Sequence, residues 1–214
     1  IGGTSFDGSA NIIIGQGAGT TTTSVSNAVI IGREAATGGN ITSAADYTVA
    51  VGREALRALT SGPGNLAVGY YAGGSITTGI GNVAIGSGSL ATEDDGDFNT
   101  AVGTNALGKQ TGTSGTVANL AIGYQAGTAV TTGYGNTYFG YQAGIEDTTG
   151  YENTFIGQYA GHESNVTTHA SANNTYVGSY AGENIDSGAS NVAVGRAAMR
   201  GTDEDDNYAL VNTA

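Results

Sequence analysis

The sequence predicts an all-β fold: a parallel β-solenoid (β-roll or β-helix) with coils of about 17 residues. Three observations predict it. A glycine recurs at a fixed interval, as at Gly123, Gly140 and Gly157, which are 17 residues apart. A short apolar segment precedes each of these glycines. With 38 glycines, one proline and 11% charged residues, the composition does not fit a chain kept unfolded by self-repulsion. We therefore predict one array over residues 1–214, with about twelve coils.

Three positions keep their residue type through most copies: an Asn, a Gly four residues later, and an Ala three residues after the Gly. We interpret them as structural repeat anchors, represented by Asn65, Gly69, Ala72, Asn82, Gly86, Asn119, Gly123, Ala126, Asn136, Gly140, Ala143, Asn153, Gly157 and Ala160. We expect the Asn side chains to stack into a ladder that donates amide hydrogen bonds along the array. A last copy carries Val211 at the glycine position.

The strand segments are apolar on both faces. In Asn65–Gly69, Leu66 and Val68 point one way and Ala67 the other, because side chains alternate along a strand. A thin coil has one interior, and we expect it on the side of Leu66 and Val68. The second face, with Ala67, Ala84 and Ala121, then needs cover from further copies of the chain, so we predict a homotrimer. The alternative is a monomer whose wider coil encloses both faces.

The second half of each copy predicts a tight corner at the repeated Ala. We expect a positive φ at the glycine that follows it, at Gly19, Gly73, Gly127, Gly144, Gly161 and Gly182. A larger residue stands there in other copies and is expected to fill the core of those coils, at Leu56, Leu90, Leu107 and Met199.

Two forms of the repeat resemble known fibrous proteins. NVAIGSGS at 82–89 and NLAIGYQA at 119–126 are similar to the head repeats of trimeric autotransporter adhesins of the YadA type. NTYFGYQAGIEDTTG at 136–150 is more similar to arrays in phage tail fibres, which often precede an endosialidase-type intramolecular chaperone. The resemblance implies a trimeric parallel β-roll used as fibre head or shaft. The period of 17 departs from the shorter adhesin repeat.

Composition and charge restrict the partners. The formal net charge of −12 disfavours nucleic acid, whose phosphates require a basic face. Without a long apolar run we predict no membrane insertion. With no cysteine, no disulfide framework is expected.

Few stretches suggest chemistry, and we predict no catalytic residue, no metal site and no cofactor. GTNALGKQ at 103–110 resembles a phosphate-binding loop but ends in Gln110, where Ser or Thr would hold magnesium. The acidic runs at 93–97 and 203–206 could bind calcium, although solvated loop charge is the favoured interpretation. His162 and His169 could form a metal site by threefold symmetry, with solvated loop histidines as the favoured alternative.

Tyrosines recur in columns. Candidate surface-binding residues are Tyr70, Tyr124, Tyr141, Tyr134 and Tyr151. Exposed aromatic rings can hold a cell-surface glycan or a protein receptor. The favoured alternative is that they stack on one another and stabilise the rod.

These observations predict a non-enzymatic fibrous protein located outside the cell, in a virion tail fibre or on a cell surface. Its predicted role is multivalent attachment to a host or cell surface, since three chains present each contact together. The alternative is a structural subunit of a self-assembling extracellular filament, or a passive fibre shaft.

Overall fold

A computed structural model describes residues 8–38, 41–111, 115–162, 172–185 and 188–201. In these residues the chain is a parallel β-solenoid, which confirms the predicted fold class. The coils advance by 17 residues, as in the pairing of Ala67 with Ala84, or by slightly more where a coil carries an insertion. The copy around Val211 and the acidic run 203–206 lie outside the described residues.

Each coil contributes one strand of three residues to a single sheet. These strands are β1 (Ile12–Ile14), β2 (Val29–Ile31), β3 (Val49–Val51), β4 (Leu66–Val68), β5 (Val83–Ile85), β7 (Thr100–Val102), β9 (Leu120–Ile122), β10 (Thr137–Phe139), β11 (Thr154–Ile156), β12 (Thr175–Val177) and β13 (Val192–Val194). They form an 11-stranded parallel sheet in chain order, and equivalent residues of successive copies lie directly opposite each other. At a strand spacing of about 4.8 Å, the sheet is roughly 50 Å long.

Two kinds of small element lie beside this sheet. The longer coil that follows β2 contains a 3-10 turn, Ser43–Ala45. Strands β6 (Gly96–Asp97) and β8 (Gly115–Thr116) form a separate two-stranded parallel sheet. The described residues contain no helix with the length and hydropathy that a membrane-spanning segment requires.

The interior of the coil lies on the opposite face of the sheet from the one that we expected. The central residue of each strand from β2 to β13 is buried, and Ala67, Ala84 and Ala121 are at most 1% exposed within their own chain. Leu66 and Val68 point outward and are only half-buried. The prediction that the Ala face meets other copies is therefore wrong. The coil is narrow, so its inner face takes the small residue, and the larger aliphatic side chains point outward.

Core volume is shared between the strand centre and the corner glycine position. In three coils the strand centre is Ala and the corner is a buried Leu, as in Ala101 with Leu107, whereas Ala67 and Ala121 are followed by Gly73 and Gly127 at the corner. Coils with a buried aromatic at the centre have glycine at the corner, as Tyr138 does with Gly144. A Cβ on Gly144 would lie 2.3 Å from a Tyr138 ring carbon, so only glycine leaves room for this ring.

The predicted corner conformation is confirmed. The six glycines have φ between 57° and 65°: Gly19, Gly73, Gly127, Gly144, Gly161 and Gly182. The larger replacements adopt the same left-handed conformation, and three of them are fully buried: Leu56, Leu90 and Leu107. Met199 is partly buried against the core.

Candidate functional site

The outward face of the 11-stranded sheet is an apolar surface that the single chain leaves uncovered. We call it the outer stripe. It consists of the first and third residue of each strand, namely Ile12, Ile14, Val29, Ile31, Val49, Val51, Leu66, Val68, Val83, Ile85, Thr100, Val102, Leu120, Ile122, Thr137, Phe139, Thr154, Ile156, Thr175, Val177, Val192 and Val194. All are half-buried or exposed, and four threonines are the only polar members.

Exposure along the outer stripe is highest near its ends. Ile14 is 59% exposed and Val194 is 69% exposed, whereas the stripe residues of β2 to β9 are half-buried because their neighbours shelter them. The column that follows the anchor glycines borders the stripe with polar or aromatic side chains, such as Arg53, Ser87 and Thr104. A continuous aliphatic surface with a polar border is typical of a protein contact surface.

Two tyrosine columns lie on opposite sides of the strands. Tyr124 and Tyr141 follow their anchor glycines and stack with ring centroids 5.4 Å apart. Tyr134 and Tyr151 precede their anchor asparagines and stack at 5.2 Å with nearly parallel rings. The stacking that we expected as the favoured alternative is thus present, although Tyr124, Tyr134 and Tyr141 each remain between 43% and 47% exposed. Much of each ring is therefore accessible to solvent and can contact a ligand.

Tyr70 lies in the column of Tyr124 but has an arginine as its neighbour. The guanidinium carbon of Arg53 lies 5.4 Å from the centroid of the Tyr70 ring. Arg53 also pairs with Glu54 at 2.8 Å, and Arg33 pairs with Glu34 at 3.1 Å. Both arginine side chains are about half exposed, so these ion pairs lie at the surface.

The anchor asparagines form a buried ladder. The Nδ2 atom of Asn82 donates to the carbonyl of Gly96 at 2.8 Å, and its Oδ1 accepts the backbone N–H of Asn99 at 2.8 Å. The same pattern holds for Asn65 and Asn136, so most ladder bonds join a side chain to the backbone of the next coil. The expected amide-to-amide bonds also occur, as from Asn136 to Asn119 at 3.2 Å.

The anchor glycines are required by close approach of the backbone. Gly86 has φ of +129°, and a Cβ there would lie 2.5 Å from the carbonyl oxygen of Gly103 in the next coil. The anchor alanines Ala72, Ala126, Ala143 and Ala160 are fully buried at the corner. The anchor glycines therefore lie at close backbone contacts between coils, and the anchor alanines lie in the interior.

One polar group is built into the core. Asp147 is fully buried, and its Oδ2 accepts the hydroxyl of Tyr138 at 2.8 Å and Nδ2 of Asn153 at 3.2 Å. Its Oδ1 accepts the N–H of Gly150 at 2.8 Å. The sequence analysis did not single out Asp147 as a site residue. The sequence carries one indication of its role: the equivalent position of the preceding coil holds the apolar residue Val130, which is typical of an interior position.

The first acidic run folds into a corner of the coil that contains Ala84. Glu93 is fully buried, Asp95 is half-buried and Asp94 is exposed. The nearest carboxylate oxygens of the three residues lie within 4.8 Å of one another. Asp97 is not part of this group, because its Oδ1 accepts the N–H of Ile80 at 2.7 Å. The interpretation as solvated loop charge is thus wrong for Glu93, whose carboxyl is inside the coil.

The remaining sequence candidates are parts of the coil or lie beyond the described residues. Gly103 is a repeat anchor, and Gln110 is buried with its amide bonded to Thr131 and Asn119, so residues 103–110 form an ordinary coil segment. The ring of His162 packs edge-on against Tyr159, with centroids 5.0 Å apart. His169 lies outside the described residues.

Comparison with models of protein families, with curated proteins and with solved structures finds no match to this chain.

Proposed function

We propose that this chain is a non-enzymatic segment of an extracellular surface fibre, of the phage tail-fibre or adhesin-like kind. In this proposal three copies form one rod, and the rod presents exposed tyrosine columns to a host or cell surface. The observation that carries it is the outer stripe. An aliphatic surface of this length on a single chain is stabilised when other copies cover it.

Further copies of the same chain are the partner that best fits this surface. The outer stripe repeats the same residue types at each strand, so an identical stripe can match it along its whole length. At roughly 50 Å by 10 Å, it covers on the order of 500 Å² per chain, near the upper end of apolar patches on monomers. Three copies around one axis enclose all three stripes and leave none exposed, which is a closed cyclic arrangement.

The rod suits attachment because it fixes its surface groups in space. Each coil is bonded to the next through the sheet and the asparagine ladder, so Tyr124, Tyr134, Tyr141 and Tyr151 hold constant positions. Three chains would present each tyrosine column three times, and several weak contacts would then act together. The expected partner is a cell-surface glycan or a protein receptor, since a tyrosine side chain combines an apolar ring with a hydroxyl.

The oligomeric state tests the assembly. We expect light scattering of the purified protein to give about 63 kDa, three times the chain mass of 21.1 kDa. Replacing Val68 by Glu would place a charge in the outer stripe and reduce the mass toward that of one chain. Ser87→Glu adds the same charge in the polar column of the next coil and should leave the mass unchanged. A single-chain mass for the unmodified protein would contradict the proposal.

Binding to a glycan array or to host cells tests attachment. We expect the rod to bind, and a Tyr124→Ala, Tyr141→Ala variant to lose most of the signal. Tyr47→Ala removes another exposed tyrosine outside both columns and serves as the control. Electron micrographs distinguish the alternative role, because discrete short rods are expected for a fibre segment and open-ended filaments for a self-assembling subunit.

A further inference from the structure

One interior corner position changes its chemistry from coil to coil. It lies three residues after the corner glycine position, and all of its occupants in six successive coils are fully buried: Leu59, Ile76, Glu93, Gln110, Val130 and Asp147. Two of these are carboxylic acids. A buried carboxylate is costly unless its oxygens have partners, so the two can be compared directly.

Asp147 is fully satisfied. Its two oxygens together accept three hydrogen bonds, from the hydroxyl of Tyr138, from Asn153 Nδ2 and from the N–H of Gly150. The donors come from the strand and the turn of the same coil and from the anchor asparagine that begins the next coil. This coil therefore shows the full set of hydrogen-bond donors that the fold provides to an acid with a purely structural role at this corner.

Glu93 has only part of this set. Its Oε1 accepts the N–H of Gly96 at 2.8 Å and that of Asp94 at 3.0 Å. Its Oε2 is buried and has no hydrogen-bond partner. The strand residue that corresponds to Tyr138 is Ala84, which offers no hydroxyl, and Asn99 Nδ2 does not reach the carboxylate either. One oxygen of a fully buried acid is thus left without a donor.

Further negative charge lies close to the Glu93 carboxylate. The ligand oxygens of Glu93, Asp94 and Asp95 lie within 4.8 Å of one another. Among the described residues, arginines form ion pairs with Glu34, Glu54 and Glu183, and none pairs with these three acids. Burial raises the pKa of Glu93 above its ordinary 4.5, and the charges of Asp94 and Asp95 raise it further. Partial burial and the neighbouring Asp94 raise the pKa of Asp95 as well.

We propose that Glu93, Asp94 and Asp95 bind a divalent cation, Ca²⁺, at this corner of the coil. Calcium takes oxygen ligands at about 2.3–2.6 Å, so two oxygens on one ion are at most about 5 Å apart, which the observed spacing satisfies. The ion supplies the partner that Glu93 Oε2 lacks and offsets the repulsion among the three carboxylates. Water completes the coordination on the exposed side of Asp94. This site is contained in one chain and does not depend on trimer assembly.

Calorimetric titration of the EDTA-treated protein with CaCl₂ tests the site. We expect one ion per chain and a rise in the thermal unfolding midpoint when calcium is added. Glu93→Gln is expected to weaken binding about tenfold or more, because it removes the buried charged ligand. This variant should fold, since Gln110 occupies the same corner in the next coil. Asp95→Asn, a change nearer the surface, should also weaken binding.

Glu146→Gln is the matched control. It removes one negative charge beside the satisfied acid Asp147 and should leave calcium affinity unchanged. The proposal is overturned if the unmodified protein gives neither heat nor a midpoint shift. It is equally overturned if binding survives Glu93→Gln and Asp95→Asn, since the ion would then bind elsewhere, for example at the acidic run 203–206. Titration with MgCl₂ should give weaker binding, because Mg²⁺ demands a more regular octahedral ligand set.

Discussion

The hydroxyl of Tyr138 donates a hydrogen bond of 2.8 Å to Oδ2 of Asp147, and the coil encloses both residues. Burial raises the pKa of Asp147, while the bonds from Tyr138, Gly150 and Asn153 lower it in part. Burial also raises the pKa of Tyr138 well above its ordinary 10.0, with a further contribution from Asp147. The pair is therefore a specific polar contact in the interior of the coil, and it positions the ring that fills this coil.

Removing the hydroxyl should destabilise the fold. Tyr138→Phe keeps the ring but leaves Asp147 with one donor fewer, which costs about 2 kcal/mol for a buried bond to a charged group. We expect a lower midpoint in urea unfolding and a further rise in the pKa of Asp147. Tyr141→Phe changes an exposed tyrosine of the same coil and should have little effect. Equal losses from the two variants would contradict the role of the Tyr138–Asp147 bond.

Stability should increase on mild acidification in the presence of EDTA. The folded-state pKa values of Glu93 and Asp147 lie above their ordinary values of 4.5 and 3.8, so the folded chain binds these protons more tightly than the unfolded chain. The cost of ionising both groups is fully present at neutral pH and disappears as the pH falls through the folded-state values. We therefore expect the unfolding midpoint to rise as the pH falls from neutrality toward 5.

A variant without the two buried acids separates their effect on stability from that of the other carboxylates, which also lose charge on acidification. Glu93→Gln combined with Asp147→Asn removes both buried acids and should show a flatter dependence of the midpoint on pH. If the variant and the unmodified protein show the same dependence, the two buried carboxyls are not its source.

Side-chain volume in the core can be exchanged between the central strand residue of a coil and its corner glycine position. Gly161→Leu alone should be strongly destabilising, because a Cβ there would lie 2.4 Å from the Phe155 ring. Phe155→Ala alone should cost about 3–5 kcal/mol through the cavity it leaves. The double variant reproduces the arrangement of Ala101 and Leu107 and should recover much of the stability. A double-mutant cycle measures the coupling, and additive losses would contradict the shared volume.

The anchor glycines should tolerate no side chain. Gly86→Ala would bring a Cβ within 2.5 Å of a backbone oxygen and should cost several kcal/mol or prevent folding. Gly64→Ala is the comparison, because Gly64 also has a positive φ of 69° but has no atom within 4 Å of the added Cβ. It should lose only about 1–2 kcal/mol from the left-handed backbone. Thermal unfolding of the two variants measures the difference.

The spacing of the anchors was sufficient to predict the coil. Asn82 and Gly86 bracket β5 as they bracket a strand in other copies, and the ladder and the close glycine contact follow from stacking one coil on the next. These features are local to the repeat, so they can be read from it directly.

The direction of the strand faces could not be predicted from hydrophobicity, since both faces are apolar. The information was present in another form. Ala50, Ala84 and Ala101 are each followed six residues later by a leucine, whereas Tyr138 is followed by Gly144. In these coils a small residue at one position accompanies a large residue at the other, which indicates that the two side chains share one cavity. Ala67 and Ala121, followed by Gly73 and Gly127, do not carry this signal. The roles of Glu93 and Asp147 depend on this same geometry, and they remain hidden until the interior face is known.

The regular pairing of each coil with the next has a consequence for how such a chain changes over generations. A duplication or deletion of one full unit, such as 70–86, would preserve every neighbouring contact type and alter the length of the solenoid by about 4.8 Å. Insertions and losses of whole units are therefore tolerable events, and a shorter insertion is accommodated where the added residues leave the ladder intact, as between Asn99 and Asn119. The length of the solenoid can thus change in steps of one coil, while the side chains on its surface are inherited unchanged.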